Sequence, residues 1–188
     1  MMSIARQHDN DGLSATAFDL AAINPKMAGT LYVSSCPGFS KVDGATESRK
    51  AAHLAFLFDQ GIHLVVSLTP DDERESLGVA DMPARIQHAG IDWIEAPVVN
   101  FGTPEKDQMD AFTAMIDAAS ARLGLGGNVL VHCRGGTGRA GKVAAIILMR
   151  GGMDADTAIT TLRDHRQGCV QTQDQEDFVR AYDGHLGS

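Results

Sequence analysis

The sequence predicts an α/β domain: a central, mostly parallel sheet of four to five strands with helices on both faces. Two observations lead there. From Leu31 onward, short apolar runs alternate with longer segments of helical period, which is the pattern of a parallel sheet covered by helices. The chain of 188 residues is 44% hydrophobic and 21% charged, enough for one self-supporting core without a metal or disulfide staple. No repeat, low-complexity tract or linker divides it. Residues 1–25, polar and irregular, are expected to be a loosely ordered arm, and 26–188 a single domain.

The elements follow in order. Strands are expected at 31–33, 63–68, 92–96 and 128–131, each a short apolar run. Between them, segments of helical period place helices at 47–60, 71–77, 82–88 and 104–123, the last opening with Pro104 in its first turn. Three further helices are expected at 139–149, 155–165 and 173–182. Ligands of open α/β sheets sit beyond the carboxyl ends of the strands, which selects the loops 69–74, 97–104 and 132–138.

Charge and cysteine content exclude some partners. A formal net charge of −8 with no compensating Lys/Arg cluster disfavours nucleic acid and anionic membrane partners. Cys36, Cys133 and Cys169 are odd in number and far apart, which fits neither a disulfide framework nor a metal site and points to a reducing compartment. Asp9, Asn10 and Asp11 interrupt the stretch where a signal peptide would be apolar, and no run of 18 apolar residues follows, so a cytoplasmic location is expected.

The chemistry concentrates between Val131 and Gly141. Gly135, Gly136 and Gly138 let the backbone curl so that successive amides converge on one point, and the helix that follows adds the positive end of its dipole there. Cys133 at the head of such a loop is favoured as a thiolate, with comparable sites reaching a pKa of about 3.5–7.5. Arg139 offers a planar fork to two oxygens of a phosphoryl group. Arg134, on the same loop, adds positive potential at the pocket mouth or is simply solvated. A buried structural cysteine beside a glycine turn is the plain alternative. Gly136 to Lys142 spells most of a nucleotide-binding Walker motif, but Val143 stands where that motif needs a hydroxyl for Mg²⁺. Sulfurtransferases of the rhodanese type also seat a cysteine in an anion-binding loop, usually one residue shorter.

The stretch from His132 to Gly141 resembles the H-C-x-x-G-x-x-R signature of the cysteine-based protein-tyrosine and dual-specificity phosphatases. Between residues 31 and 182 the surroundings are most similar to the kinase-associated phosphatase group. The matching runs are Ser67 to Gly78, Pro97 to Pro104, Leu162 to Arg166, Val170 to Thr172, and Gln175. The resemblance implies a phosphotyrosine-phosphatase-like fold and a two-step displacement through a phosphocysteine on Cys133. It implies no metal or organic cofactor, and as substrate a phosphorylated protein or a small phosphomonoester. Arg134, Gly135, Gly136, Thr137 and Gly138 would then cradle the phosphate, with Asn100 among the substrate-binding residues, and Gln175 would help place the hydrolytic water or is simply an exposed helix glutamine.

Two positions depart from the family. Asn100 stands where an aspartate usually protonates the leaving group, a step worth about 10²–10⁴ in rate that a carboxamide cannot perform. Asp72 is the favoured substitute, with Asp71 beside it and Asp107 and Glu105 behind. Ala140 replaces the usual Ser or Thr after the signature arginine, and Thr137 is the nearest alternative hydroxyl. These departures keep a rival open: a phosphate-recognising module with weak catalysis. The phosphatase reading also requires that the Cys133 sulfur not be sealed off and that Arg139 face it.

Overall fold

The computed structural model describes residues 20–24, 26–96, 104 and 106–182. In chain order the elements are β1 (Leu20–Ile23), β2 (Leu31–Ser34), α1 (Glu47–Asp59), β3 (Ile62–Ser67), α2 (Asp71–Ser76), α3 (Met82–His88) and β4 (Asp92–Glu95). After a 3-10 turn (Lys106–Gln108) come α4 (Met109–Gly124), β5 (Asn128–His132), α5 (Gly138–Arg150), α6 (Ala155–His165) and α7 (Gln173–Ala181). The five strands form one sheet in the order β1-β2-β5-β3-β4. All neighbours are parallel except β1 and β2.

The strand sequences explain this layering. Central strands made of Val, Leu and Ile are buried on both faces, as a parallel sheet between helices requires. Val33, Val66, Val129 and Val131 point into the larger core under α4, α5, α6 and α7. Tyr32, Val65 and Leu130, one residue out of phase, point into the smaller core under α1 and α3. Helix starts are fixed by side chains. Thr46, Asp154 and Thr172 accept the amides of Arg49, Thr157 and Gln175 at the heads of α1, α6 and α7, each such cap being worth about 1 kcal/mol. Among the described residues no helix is long and apolar enough to cross a membrane.

The structure differs from expectation at two elements. Leu20–Ile23 falls within the expected arm, yet it pairs with β2 as an antiparallel edge strand and buries Ile23 completely. Four residues with two alanines carry little strand propensity; pairing and core contact order them instead. The helix expected from Pro104 begins only at Met109, because the chain first makes a 3-10 turn.

Register prepares the site. Ser34, His132 and Ser67 lie level across β2, β5 and β3, and Glu95 of β4 pairs with Ser67. The segments leaving these strands therefore emerge from a single edge of the sheet.

Candidate active site

Residues 133–137 link β5 to α5 and close on themselves at that edge. The Gly136 amide donates to Cys133 Sγ at 3.2 Å. Gly136 has φ +71°, and a Cβ there would lie 2.5 Å from Ser34 O and 2.6 Å from Ser35 N, so backbone conformation and packing both demand glycine. The carbonyls of the loop are turned outward and satisfied. Arg134 O accepts the Cys36 amide at 3.3 Å, Gly135 O accepts Arg166 Nη2 at 3.1 Å, and Gly136 O accepts Arg166 Nε at 2.6 Å. Three successive carbonyls bound from outside leave the amide edge of the loop facing Cys133, which is the geometry of an anion nest.

Cys133, at the head of this loop, is buried with 3% of its surface exposed and packs in the larger core. Arg139, on the first turn of α5, is 2% exposed and faces the sulfur. Burial works against its charge, but the hydrogen bonds it donates to Glu73 and the charge and hydrogen bond of Cys133 hold its pKa above the ordinary arginine value. The guanidinium is gripped from α2. Its Nη1 donates to Glu73 Oε2 at 2.8 Å and to Leu68 O at 3.2 Å, and its Nη2 donates to Glu73 Oε1 at 3.0 Å. A bidentate carboxylate fixes the plane of the fork.

Gln175 is fully buried at the head of α7. Its Oε1 accepts the Gln171 amide at 2.8 Å, while Nε2 has no partner and lies 3.0 Å from where a Cβ on Gly138 would stand. A buried, unused donor beside the cradle is costly unless a ligand or water takes it up. His132 is fully buried against Trp93, with ring centroids 5.5 Å apart. Burial, set against the Cys133 backbone and aided by Arg74 and Arg139, pushes its pKa down to about 3, so the imidazole is neutral.

The structure thus brings together Cys133, Arg134, Gly135, Gly136, Thr137, Gly138, Arg139 and Gln175 of the expected site. Asp72 heads α2 at the same edge, but it is exposed and its Oδ1 accepts the Glu73 amide at 2.9 Å. Asp71 is engaged by Arg74. Asp107 lies exposed on the 3-10 turn. Asn100 and Glu105 lie outside the described residues. Ala140 is packed in the larger core. Burial pushes the Cys36 thiol up to about 12, and the nearby charge of Cys133 adds to the effect.

Sequence reasoning missed two residues that shape the site, Glu73 and Arg166. Glu73 falls within the matching run Ser67 to Gly78, with nothing in that run singling it out. The signal for it lay in Arg139 itself, since a guanidinium buried at a strand end needs an acid from the adjoining strand's loop. Arg166 was noted only within a matching run, although an arginine at a helix C-terminus is well placed to bind nearby carbonyls.

Comparisons with known proteins agree with this geometry. The family model described as "PTP-SAK: Swiss Army Knife protein, DSP-PTPase phosphatase domain" matches residues 40–179. Tyrosine-protein phosphatase Lar of Drosophila melanogaster is 34% identical over 105 residues, covering 52% of this chain and 5% of Lar. The protein MJECL20 of Methanocaldococcus jannaschii is 32% identical over 93 residues, covering 49% of this chain and 60% of that protein. The chain therefore spans less than two thirds of either relative. In fold, it superimposes on a crystal structure of kinase associated phosphatase with a TM-score of 0.81 at 22% identity, covering 92% of this chain and 98% of that one.

Proposed function

The chain belongs to the DSP-PTPase phosphatase-domain family, and from that premise we propose that it is a cysteine-dependent phosphomonoester hydrolase acting on phosphotyrosine or phosphothreonine/serine proteins. The observation that carries the reading is the closed loop, three of whose carbonyls are bound from outside while Cys133 Sγ and Arg139 face each other across its inner side. Oriented amides and a fixed guanidinium favour an oxyanion and a thiolate in one place.

In this reading Arg139 and the loop amides hold the phosphoryl oxygens while the Cys133 thiolate attacks phosphorus. The S–P bond forms as the bond to the leaving oxygen breaks. That oxygen must take a proton. Asp72 is the proposed donor, because it stands at the sheet edge beside Glu73, whose own carboxylate is occupied by Arg139. Water then attacks phosphorus, the P–S bond breaks and phosphate leaves, with Gln175 Nε2 placed to orient the water. A reducing, cytoplasmic setting belongs to the reading, since turnover needs Cys133 as a free thiol, and the single domain it envisages takes in the edge strand Leu20–Ile23.

The test is hydrolysis of an aryl phosphate in a chelator. Turnover should persist there and vanish in Cys133→Ser, and Asp72→Ala should slow an alkyl phosphate more than an aryl one. Vanadate binding without turnover would instead identify a phosphate-recognising module, and persulfide transfer to cyanide a sulfurtransferase. An unchanged rate on both substrates would remove Asp72 as the acid.

A further inference from the structure

Helix α5 runs from the candidate loop into the larger core, and from Ala140 to Leu148 its residues are Ala, Gly, Val, Ile and Leu except at Lys142. Lys142 has none of its surface exposed. A buried ammonium gives up its hydration, so this position costs stability that an apolar side chain of similar length would not. Such a residue persists where its charge is used.

The surrounding geometry places that charge behind the loop. Lys142 follows Arg139 by three residues, so the two are neighbours one turn apart on the same face of α5. Helical side chains lean toward the N-terminus, which here is the end that adjoins Cys133 to Thr137. Lys142 Nζ lies 5.0 Å from the centre of the Phe178 ring, and Phe112 of α4 meets that ring edge-on with centroids 5.9 Å apart. Phe178 stands one turn beyond Gln175 on α7, and Gln175 Nε2 lies 3.0 Å from where a Cβ on Gly138 would stand at the head of α5. Lys142, Phe178, Gln175 and Gly138 thus form a column that ends at the loop. Burial, and then the charge of Arg139, bring the Lys142 pKa down to about 8, which leaves the ammonium mostly charged at pH 7.

We propose that Lys142 is a specificity-determining residue of the oxyanion site, a second buried cation behind Arg139 that makes the loop favour doubly over singly charged ligands. The inference rests on the phosphatase reading and names the charge state of the group that the loop selects. Arg139 shares its charge with the bidentate Glu73, so a ligand in the loop meets a pair whose charges largely offset each other. Lys142 adds positive potential behind that pair. Ala140 offers no hydroxyl to the Cys133 sulfur, and the same potential favours the thiolate. With Arg139 one turn nearer the loop, the ammonium stands on the order of 10 Å from an oxyanion seated there. At an effective dielectric of about 20, a unit charge at that distance changes the affinity for each added negative charge roughly ten- to twenty-fold.

The experiment uses tungstate and perrhenate, tetrahedral oxyanions of similar size that differ by one negative charge. Calorimetry on the full chain at pH 7 gives both affinities, beside aryl phosphate turnover and urea midpoints for each variant. The tungstate-to-perrhenate affinity ratio should fall about ten-fold in Lys142→Met, mostly through weaker tungstate binding, and kcat/KM for the dianionic aryl phosphate should fall with it. Lys142→Gln, polar but uncharged, should give the same fall, which separates charge from packing. Lys142→Met should lose this discrimination while becoming more stable, a combination that a merely structural lysine would not produce. A ratio unchanged in Lys142→Met, a wild-type ratio in Lys142→Gln, or an equal loss of both anions overturns the role of Lys142 while wild-type turnover leaves the phosphatase reading intact. A wild-type chain that binds neither oxyanion and turns over no aryl phosphate removes both.

Discussion

The bidentate contact between Glu73 and Arg139 decides how well a phosphate is held. Arg139 is buried and carries five donors; Glu73, 17% exposed, takes up one edge of the fork and so aims the remaining N–H groups at the loop. Glu73→Gln keeps the volume but removes the charge and one acceptor. Vanadate affinity should weaken about ten- to hundred-fold and the fold should lose about 1–3 kcal/mol, since a buried guanidinium is left partly unsatisfied. Vanadate inhibition and urea unfolding measure the two effects, and unchanged vanadate affinity would mean that Glu73 is a bystander. Cys133 and Arg139 were legible in the sequence because a contiguous stretch carries both, together with the glycines that shape the loop between them. Glu73 and Arg166 were not, because they reach the loop from separate elements and nothing local in their own segments marks them as partners.

Helix α5 carries Arg139 at its head and is buried from Gly138 to Leu148. Its close seat depends on Gly141, where a Cβ would lie 2.7 Å from Val170 N. Besides Arg139, a second residue in this helix runs against the rule that buried positions are apolar. Lys142 is fully buried, with Nζ 5.0 Å from the centre of the Phe178 ring. Burial, reinforced by the charge of Arg139, pushes its pKa down to about 8. The unfolded chain holds this proton more tightly than the folded one, so the charge opposes folding below pH 8 and ceases to matter as both states become neutral above about 10.5. Lys142→Met should therefore stabilise the protein at pH 7 by about 1–3 kcal/mol, less than the full shift because the ring contact offsets part of it. The gain should shrink as pH rises from 8 to 10.5, read from denaturant midpoints across that range; a gain independent of pH would place its origin in packing. At this scale the sequence predicted most boundaries to within a residue or two, because hydrophobic periodicity is a local signal. Strand β1 escaped because Leu20–Ile23 becomes a strand only through its partner Leu31–Ser34.

Across the whole molecule, the candidate cradle is where separate parts of the chain meet. The segment after β2 contributes the Cys36 amide, the end of β3 with α2 contributes Leu68 O and Glu73, the end of α6 contributes Arg166, and α7 contributes Gln175. These pieces come from separate elements of the chain, and an oxyanion held in the loop would rest on all of them. It can be bound only while all of them are assembled. Binding to the folded state alone stabilises by mass action, about 2.7 kcal/mol at a ligand concentration of 100 Kd. For a chain of this size each kcal/mol moves Tm by roughly 2–4 °C, so vanadate at that concentration should raise Tm by about 5–10 °C. Chloride at equal ionic strength should not, because screening acts on the −8 surface and not on the cradle. Arg166→Met removes the donor that turns the Gly135 and Gly136 carbonyls outward without touching the anion, and it should abolish most of the vanadate shift. A full shift retained in Arg166→Met would show that the amides face inward without that brace, and equal shifts with chloride would show that the stabilisation is not seated in the loop.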